Sequence, residues 1–136
     1  MTRQVARETV MQMLYQMEAQ ADFSIEAKAA YLENFIEGDD NNQFDYINSV
    51  YEAYASHSDE IDDLIEASSK GWKLERLAKV DLAILRVCVA EMMYKSDSKV
   101  PVGVAINEAV SIAKKFGGDS SGKFVNGILG TVSKKM

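Results

Sequence analysis

The chain has 136 residues, 47% of them hydrophobic, which suits one compact domain with a real core and leaves little room for two. No apolar run approaches the roughly 18 residues that a membrane span needs, and the first ten positions carry charges without the apolar core of a signal peptide. The net charge of −6 divides unevenly: residues 1–71 hold 4 Lys/Arg against 15 Asp/Glu, and residues 72–136 hold 11 against 6, so the second half suits a polyanion and the first a basic protein, unless both are ordinary solvated helix faces.

One proline and an abundance of Met, Ala, Leu, Glu and Lys favour helices over strands. No repeat of solenoid length is visible. Helical spacing of apolar residues marks a first helix through Val5, Thr9, Val10, Met13, Leu14 and Met17. Ser24 is the expected N-cap of a second, with Ile25, Ala29, Leu32 and Ile36 inward, a stop at Gly38 and a polar loop at Asp39-Asp40-Asn41-Asn42. A third carries Phe44, Ile47, Val50, Tyr51 and Tyr54. A fourth, capped by Ser58, carries Ile61, Leu64 and Ile65 and stops near Gly71. Beyond Trp72, the residues Leu74, Leu77 and Val80 form a short turn, and Asp81 is placed to cap a helix with Ile84, Val87, Cys88 and Met92. After a loop at Asp97-Ser98-Lys99-Val100, Pro101 fits the first turn of the next helix, whose inward face holds Val102, Ala105, Ile106, Ala109, Val110 and Ala113. Gly117-Gly118 ends it, and Ser120 or Ser121 caps a last helix with Phe124, Val125, Ile128, Leu129 and Val132 inward. The expected fold is all-α, about seven helices in two packed halves, residues 1–70 and 71–136. Its core should include Leu14, Leu77, Ile84, Ile106, Phe116 and Leu129.

Catalytic chemistry has no candidate. His57 is the single histidine and Cys88 the single cysteine, so neither a histidine-paired zinc site nor an intramolecular disulfide can form. Cys88 lies among Val87, Val89 and Ala90 and reads as a small buried hydrophobe in a reducing compartment. There is no Gly-rich Lys-Ser/Thr phosphate loop, no Gly-x-Ser-x-Gly and no isolated carboxylate pair in an apolar setting. No metal or cofactor is expected. Two features suit an RNA. Arg3 and Arg7, four apart, share a helix face and form either a phosphate grip or a solvated surface. Lys114, Lys115 and Lys123 bracket the loop at Gly117–Gly122, where Phe124 is either a stacking ring or part of the core stripe.

Longer motifs are more specific. Arg3-x-x-Ala6-Arg7-Glu8 is followed by Gln12-x-Leu14-Tyr15, and Trp72-x-Leu74-x-Arg76-Leu77 by Val80-Asp81-x-Ala83-Ile84-Leu85-Arg86. Next come Val100-Pro101-x-x-Val104-Ala105-Ile106-Asn107-Glu108-Ala109-Val110, Ala113-Lys114-x-Phe116-Gly117 and Lys123-Phe124-Val125-Asn126-Gly127-x-Leu129. In this order they resemble the NusB family from end to end, while residues 20–70 match only as helical pattern. The resemblance implies a cytoplasmic, non-enzymatic transcription antitermination factor with a NusB-like fold of two helical subdomains. It implies binding to single-stranded boxA-type RNA of ribosomal RNA leaders, together with a NusE-type ribosomal protein, within the RNA polymerase antitermination complex. Position by position, it implies RNA contacts at Arg3, Arg7, Ser121, Lys123 and Phe124, and partner contacts at Tyr15, Glu75 and Asp81. The family often clusters three or more arginines at its start where this chain has two, and Gly122 precedes Lys123, so sequence preference is expected only with the partner present. Two other readings stay open. One is the accessory domain of a ribosomal RNA methyltransferase, although no Gly-rich cofactor domain follows within the sequence. The other is a structural homodimer covering the arginine strip; the family includes monomers and dimers.

Overall fold

The structure, a computed structural model, describes residues 1–36, 43–94 and 100–136. The expected stop at Gly38, the polar loop of residues 39–42, the inward side chain of Ile36 and the loop residues Asp97, Ser98 and Lys99 lie outside the described residues. All regular structure among the described residues is helical: α1 (Arg3–Ala19), α2 (Ile25–Ile36), α3 (Phe44–Ser56), α4 (Ser58–Ala67), a 3-10 turn (Leu74–Arg76), α5 (Lys79–Tyr94) and α6 (Val102–Lys135). Within α6, Gly118 has φ 85° and ψ −174°, so two helical arms meet at a kink and the helix count approaches the seven expected. That backbone conformation is open essentially to glycine alone.

Local chemistry explains most boundaries. Thr2 opens α1, its hydroxyl accepting from the Val5 amide at 3.1 Å. At the other end Ala21 turns left-handed (φ 52°), the Asp22 amide donates to Met17 O (2.9 Å) and the Ala21 amide to Glu18 O (3.1 Å). This is a full Schellman closure with alanine where glycine is usual. Ser24 caps α2 as expected, accepting from the Ala27 amide at 3.1 Å. Three expected caps need correction. Ser58 is the first residue of α4 and His57 its N-cap, with no side-chain cap bond. Asp81 is the third residue of α5, not its cap. Ser120 and Ser121 lie inside the helical span that resumes after Gly118.

The core centres on α5, in which every residue from Asp81 to Glu91 is buried. The helices α1, α3, α4 and α6 pack around it. Leu14, Leu77, Ile84 and Leu129 are buried as expected, and Ile106 is partly so. Phe116 departs from expectation at 40% exposed: it sits at the end of the first arm of α6, just before the kink, with the Lys115 ammonium 5.4 Å over its ring. Val5, Ile25 and Val102 are likewise exposed, because each stands at a helix end where the apolar stripe runs past the body it packs on. Cys88 is buried, its thiol directed at Ala105 O (3.5 Å), and burial pushes its pKa up.

Candidate nucleic-acid interface

Arg3 and Arg7 share one face of α1, and that face meets protein. The Arg7 guanidinium is 7% exposed and grips Glu91, itself 2% exposed, through Nη2–Oε1 at 2.8 Å and Nε–Oε2 at 3.0 Å. Tyr46 of α3 donates its hydroxyl to the same Glu91 Oε2 at 3.0 Å. Arg3 is half-buried, stacks 4.1 Å over the Tyr46 ring and donates from Nε to Gln43 Oε1 at 2.7 Å. Burial alone would lower the Arg7 pKa, but the hydrogen bonds to Glu91 and the field of Tyr46 outweigh it and hold it above its ordinary value. Burial, reinforced by Glu91, pushes the Tyr46 phenol up. Arg7 is therefore corrected from a phosphate-facing residue to an internal one. Its charge is satisfied by a carboxylate 84 positions away that no local pattern could pair with it.

A second arrangement of the same kind lies on the other side of α5. Arg86 donates to Asp62 twice at 3.0 Å and reaches Glu18 at 3.3 Å, while Tyr54 donates to Asp62 at 3.1 Å. Lys79 also meets Glu18, at 3.5 Å.

The residues expected to meet a protein partner divide. Tyr15 and Glu75 are exposed, on α1 and in the 3-10 turn. Asp81 is 6% exposed and faces inward, so it does not belong to a surface. Its Oδ1 has no hydrogen-bond partner and lies 3.8 Å from where a Cβ on Gly117 would stand. Burial raises the Asp81 pKa, and the neighbouring Ser121 hydroxyl opposes that rise. A side chain at Gly117 would strike Ser121 Oγ at 2.2 Å, so glycine there lets the kink close over Asp81.

The kink gathers most of the remaining candidates. Ser121 is half-buried against Asp81, and Lys123 is exposed on the following turn. Phe124 packs against the core, and it also lines a cleft of about 280 Å³ together with Lys123. Gly122 is buried because a Cβ there would meet the Lys114 stem at 2.7 Å, so it serves the crossing of the two arms. Lys115 reaches back to α1, donating to Glu8 Oε1 at 2.8 Å. The opposite wall of the cleft carries Lys70 and Trp72, which the helical pattern did not single out as site residues. Their signal is a cation–aromatic cluster, Lys70-Gly71-Trp72-Lys73, between two helical stretches. Among the described residues no group of His, Cys, Asp or Glu is placed to hold a metal ion, and no helix is long and apolar enough to cross a membrane.

Residues 4–134 match the NusB family. The transcription antitermination protein NusB of Acetivibrio thermocellus is 46% identical over 136 aligned positions, covering 98% of this chain and 90% of that protein. The protein of the same name from Bacillus mycoides is 42% identical, covering 97% of each. Among solved structures, NusB of T. maritima superposes with a TM-score of 0.88 at 32% identity, covering 99% of this chain and 92% of that one. A crystal structure of antitermination factors NusB and NusE in complex with dsRNA matches with a TM-score of 0.83 at 27% identity, covering 98% and 97%. The glycine kink, the buried arginine pairs and the exposed Lys123 edge described above are thus features of a chain that belongs to the NusB family.

Proposed function

We propose that this chain is a cytoplasmic transcription antitermination factor that binds single-stranded, boxA-type RNA together with a NusE-type ribosomal protein, as part of an RNA polymerase antitermination complex. The observation that carries the reading is the match along nearly the whole chain to NusB proteins, one of them crystallised with NusE and dsRNA. The RNA surface consists of Arg3, Ser121, Lys123 and Phe124, with Arg7 acting from inside by holding α1 against α5 and Tyr46. The exposed Lys123 and the half-buried Arg3 meet phosphates, and the ring of Phe124 offers a stacking edge. The partner surface consists of Tyr15 and Glu75, with Asp81 positioning the start of α5 behind them. An exposed carboxylate at Glu75 suits a basic ribosomal protein, and the exposed Tyr15 ring offers it contact area.

The test is a binding titration of boxA-type, scrambled and double-stranded RNA, with and without the NusE-type protein, at several salt concentrations. Binding should favour single-stranded boxA-type RNA when the partner is present. Lys123→Ala should weaken all the RNAs alike and reduce the slope of log affinity against log salt by about 0.7. Affinity indifferent to RNA sequence with the partner bound, or untouched by Lys123→Ala, refutes this surface.

A further inference from the structure

The cleft beside Lys123 has a second wall in the turn that follows α4. There the chain reverses through Lys70 (φ 51°) and Gly71 (φ 89°), both left-handed, a conformation that costs a lysine energy. Two hydrogen bonds hold the turn: the Trp72 amide to Ser69 O (3.1 Å) and the Leu74 amide to Glu66 Oε2 (2.9 Å). The result is an indole presented to solvent, 55% exposed, although Trp72 is the largest apolar side chain in the molecule. Trp72 borders the cleft of about 280 Å³ on one side and an adjoining depression of about 330 Å³ on the other. Lys70 borders both, Lys123 the first, and Lys73 and Arg76 the second, and no carboxylate lines either. In this same wall Ser68 Oγ is buried without a hydrogen-bond partner. Across the cleft, a Cβ at Gly127 would meet nothing within 4 Å, so the missing side chain keeps the space open.

We propose that this cleft takes one unstacked nucleobase of the bound RNA, lying against the Trp72 indole opposite Phe124, with Lys70 and Lys123 on the flanking phosphates. The inference rests on the RNA-binding reading and extends the contact surface to the turn after α4. An aromatic wall whose charged neighbours lining the cleft are both cations, Lys70 and Lys123, suits a base between two phosphates, since stacking on aromatic rings and cation contact to the backbone are the two standard attractions for single-stranded RNA.

Trp72 is the chain's only tryptophan, so its fluorescence reports on the cleft directly. The complex with the NusE-type protein is titrated with boxA-type RNA, following indole emission and, separately, the anisotropy of a dye on the RNA. A Trp72→Phe complex supplies the background emission. The expected result is quenching with the same midpoint as the anisotropy change. Scanning the RNA with abasic nucleotides should find one position that abolishes quenching and weakens binding about tenfold or more. That abasic change should add nothing in Trp72→Ala. Gly127→Leu, which fills the cleft, should reproduce the loss with helix content intact by circular dichroism. Anisotropy that rises without quenching, or wild-type affinity in Trp72→Ala, overturns the cleft while leaving the RNA reading in place. Quenching by the partner protein alone, with RNA adding nothing, overturns it in favour of protein docking. No anisotropy change with any RNA overturns the RNA reading and the cleft with it.

Discussion

Replacing Arg7 by alanine separates an internal role from a phosphate contact. The change removes both hydrogen bonds, at 2.8 and 3.0 Å, that hold a carboxylate only 2% exposed. Glu91 keeps the Tyr46 hydroxyl, which is no match for a lost guanidinium. Breaking a buried pair from one side costs about 3–5 kcal/mol, because the remaining charge stays desolvated. A domain of this size has about 5–15 kcal/mol in total, so the loss is a large fraction of its stability. With a urea dependence of about 2 kcal/mol per molar, the unfolding midpoint followed by circular dichroism should fall by about 1.5–2.5 M. The double variant Arg7→Met with Glu91→Leu removes both charges and fills the space, and should recover most of the stability. The same double variant should keep the wild-type salt dependence of RNA binding, in contrast to the flatter slope of Lys123→Ala. A loss below about 1 kcal/mol in Arg7→Ala, or a flattened slope in the double variant, would refute the internal assignment.

Ala21→Gly should stabilise the protein by about 1 kcal/mol in the same urea assay, since φ 52° at a Schellman position penalises a Cβ; an unchanged or lowered midpoint would contradict the strain. Asp81→Asn tests the raised pKa of Asp81. Below the ordinary value of 3.8 the aspartate is protonated in both folded and unfolded chains. Above it the unfolded chain releases its proton first, so the wild type should lose stability relative to Asp81→Asn as pH rises through the folded pKa. Urea midpoints of both proteins from pH 3.5 upward check the sign, and a wild type that gains on the variant with rising pH would invert the argument. Glu75→Lys, at an exposed position, should slow association with the NusE-type protein, most at low salt, as read by surface plasmon resonance. An unchanged association rate would remove Glu75 from the partner surface.

What the chain's pattern made legible was what is local. Ser24 followed by an apolar-spaced run is a cap wherever it occurs, and the paired glycines at 117 and 118 announced a break that only one of them makes by its dihedrals. The stripes of α1, α3 and α5 pointed to Leu14, Val50 and Ile84 because burial follows the helical period. Spacing also placed Arg3 and Arg7 on one face, but which way that face looks depends on α3 and α5, and a charged pair is read as solvated until its carboxylate is known. Asp81 was misjudged for the same reason, since its cover comes from Gly117 and Ser121 across the kink. Phe116 fitted the inward stripe of its helix, yet the stripe outlasts the body beneath it. The Trp72 wall was hidden by assembly: its two sides lie some fifty residues apart and become one cleft only when the last arm of α6 docks beside the end of α4.

The depth at which α5 is buried has a consequence for how it finds its orientation. A helix apolar on one side is aimed by its stripe, but one surrounded on every side gains nearly the same burial at many rotations about its axis. Arg86 and Glu91 break that degeneracy. They project about 140° apart around the helix, one toward Asp62 and Glu18, the other toward Arg7 and Tyr46. A turn or a slide of the rod in its socket would strand at least one charge in the interior. The two pairs thus index the central helix against its neighbours, so that the kink packed over Asp81 near its start arrives in one arrangement.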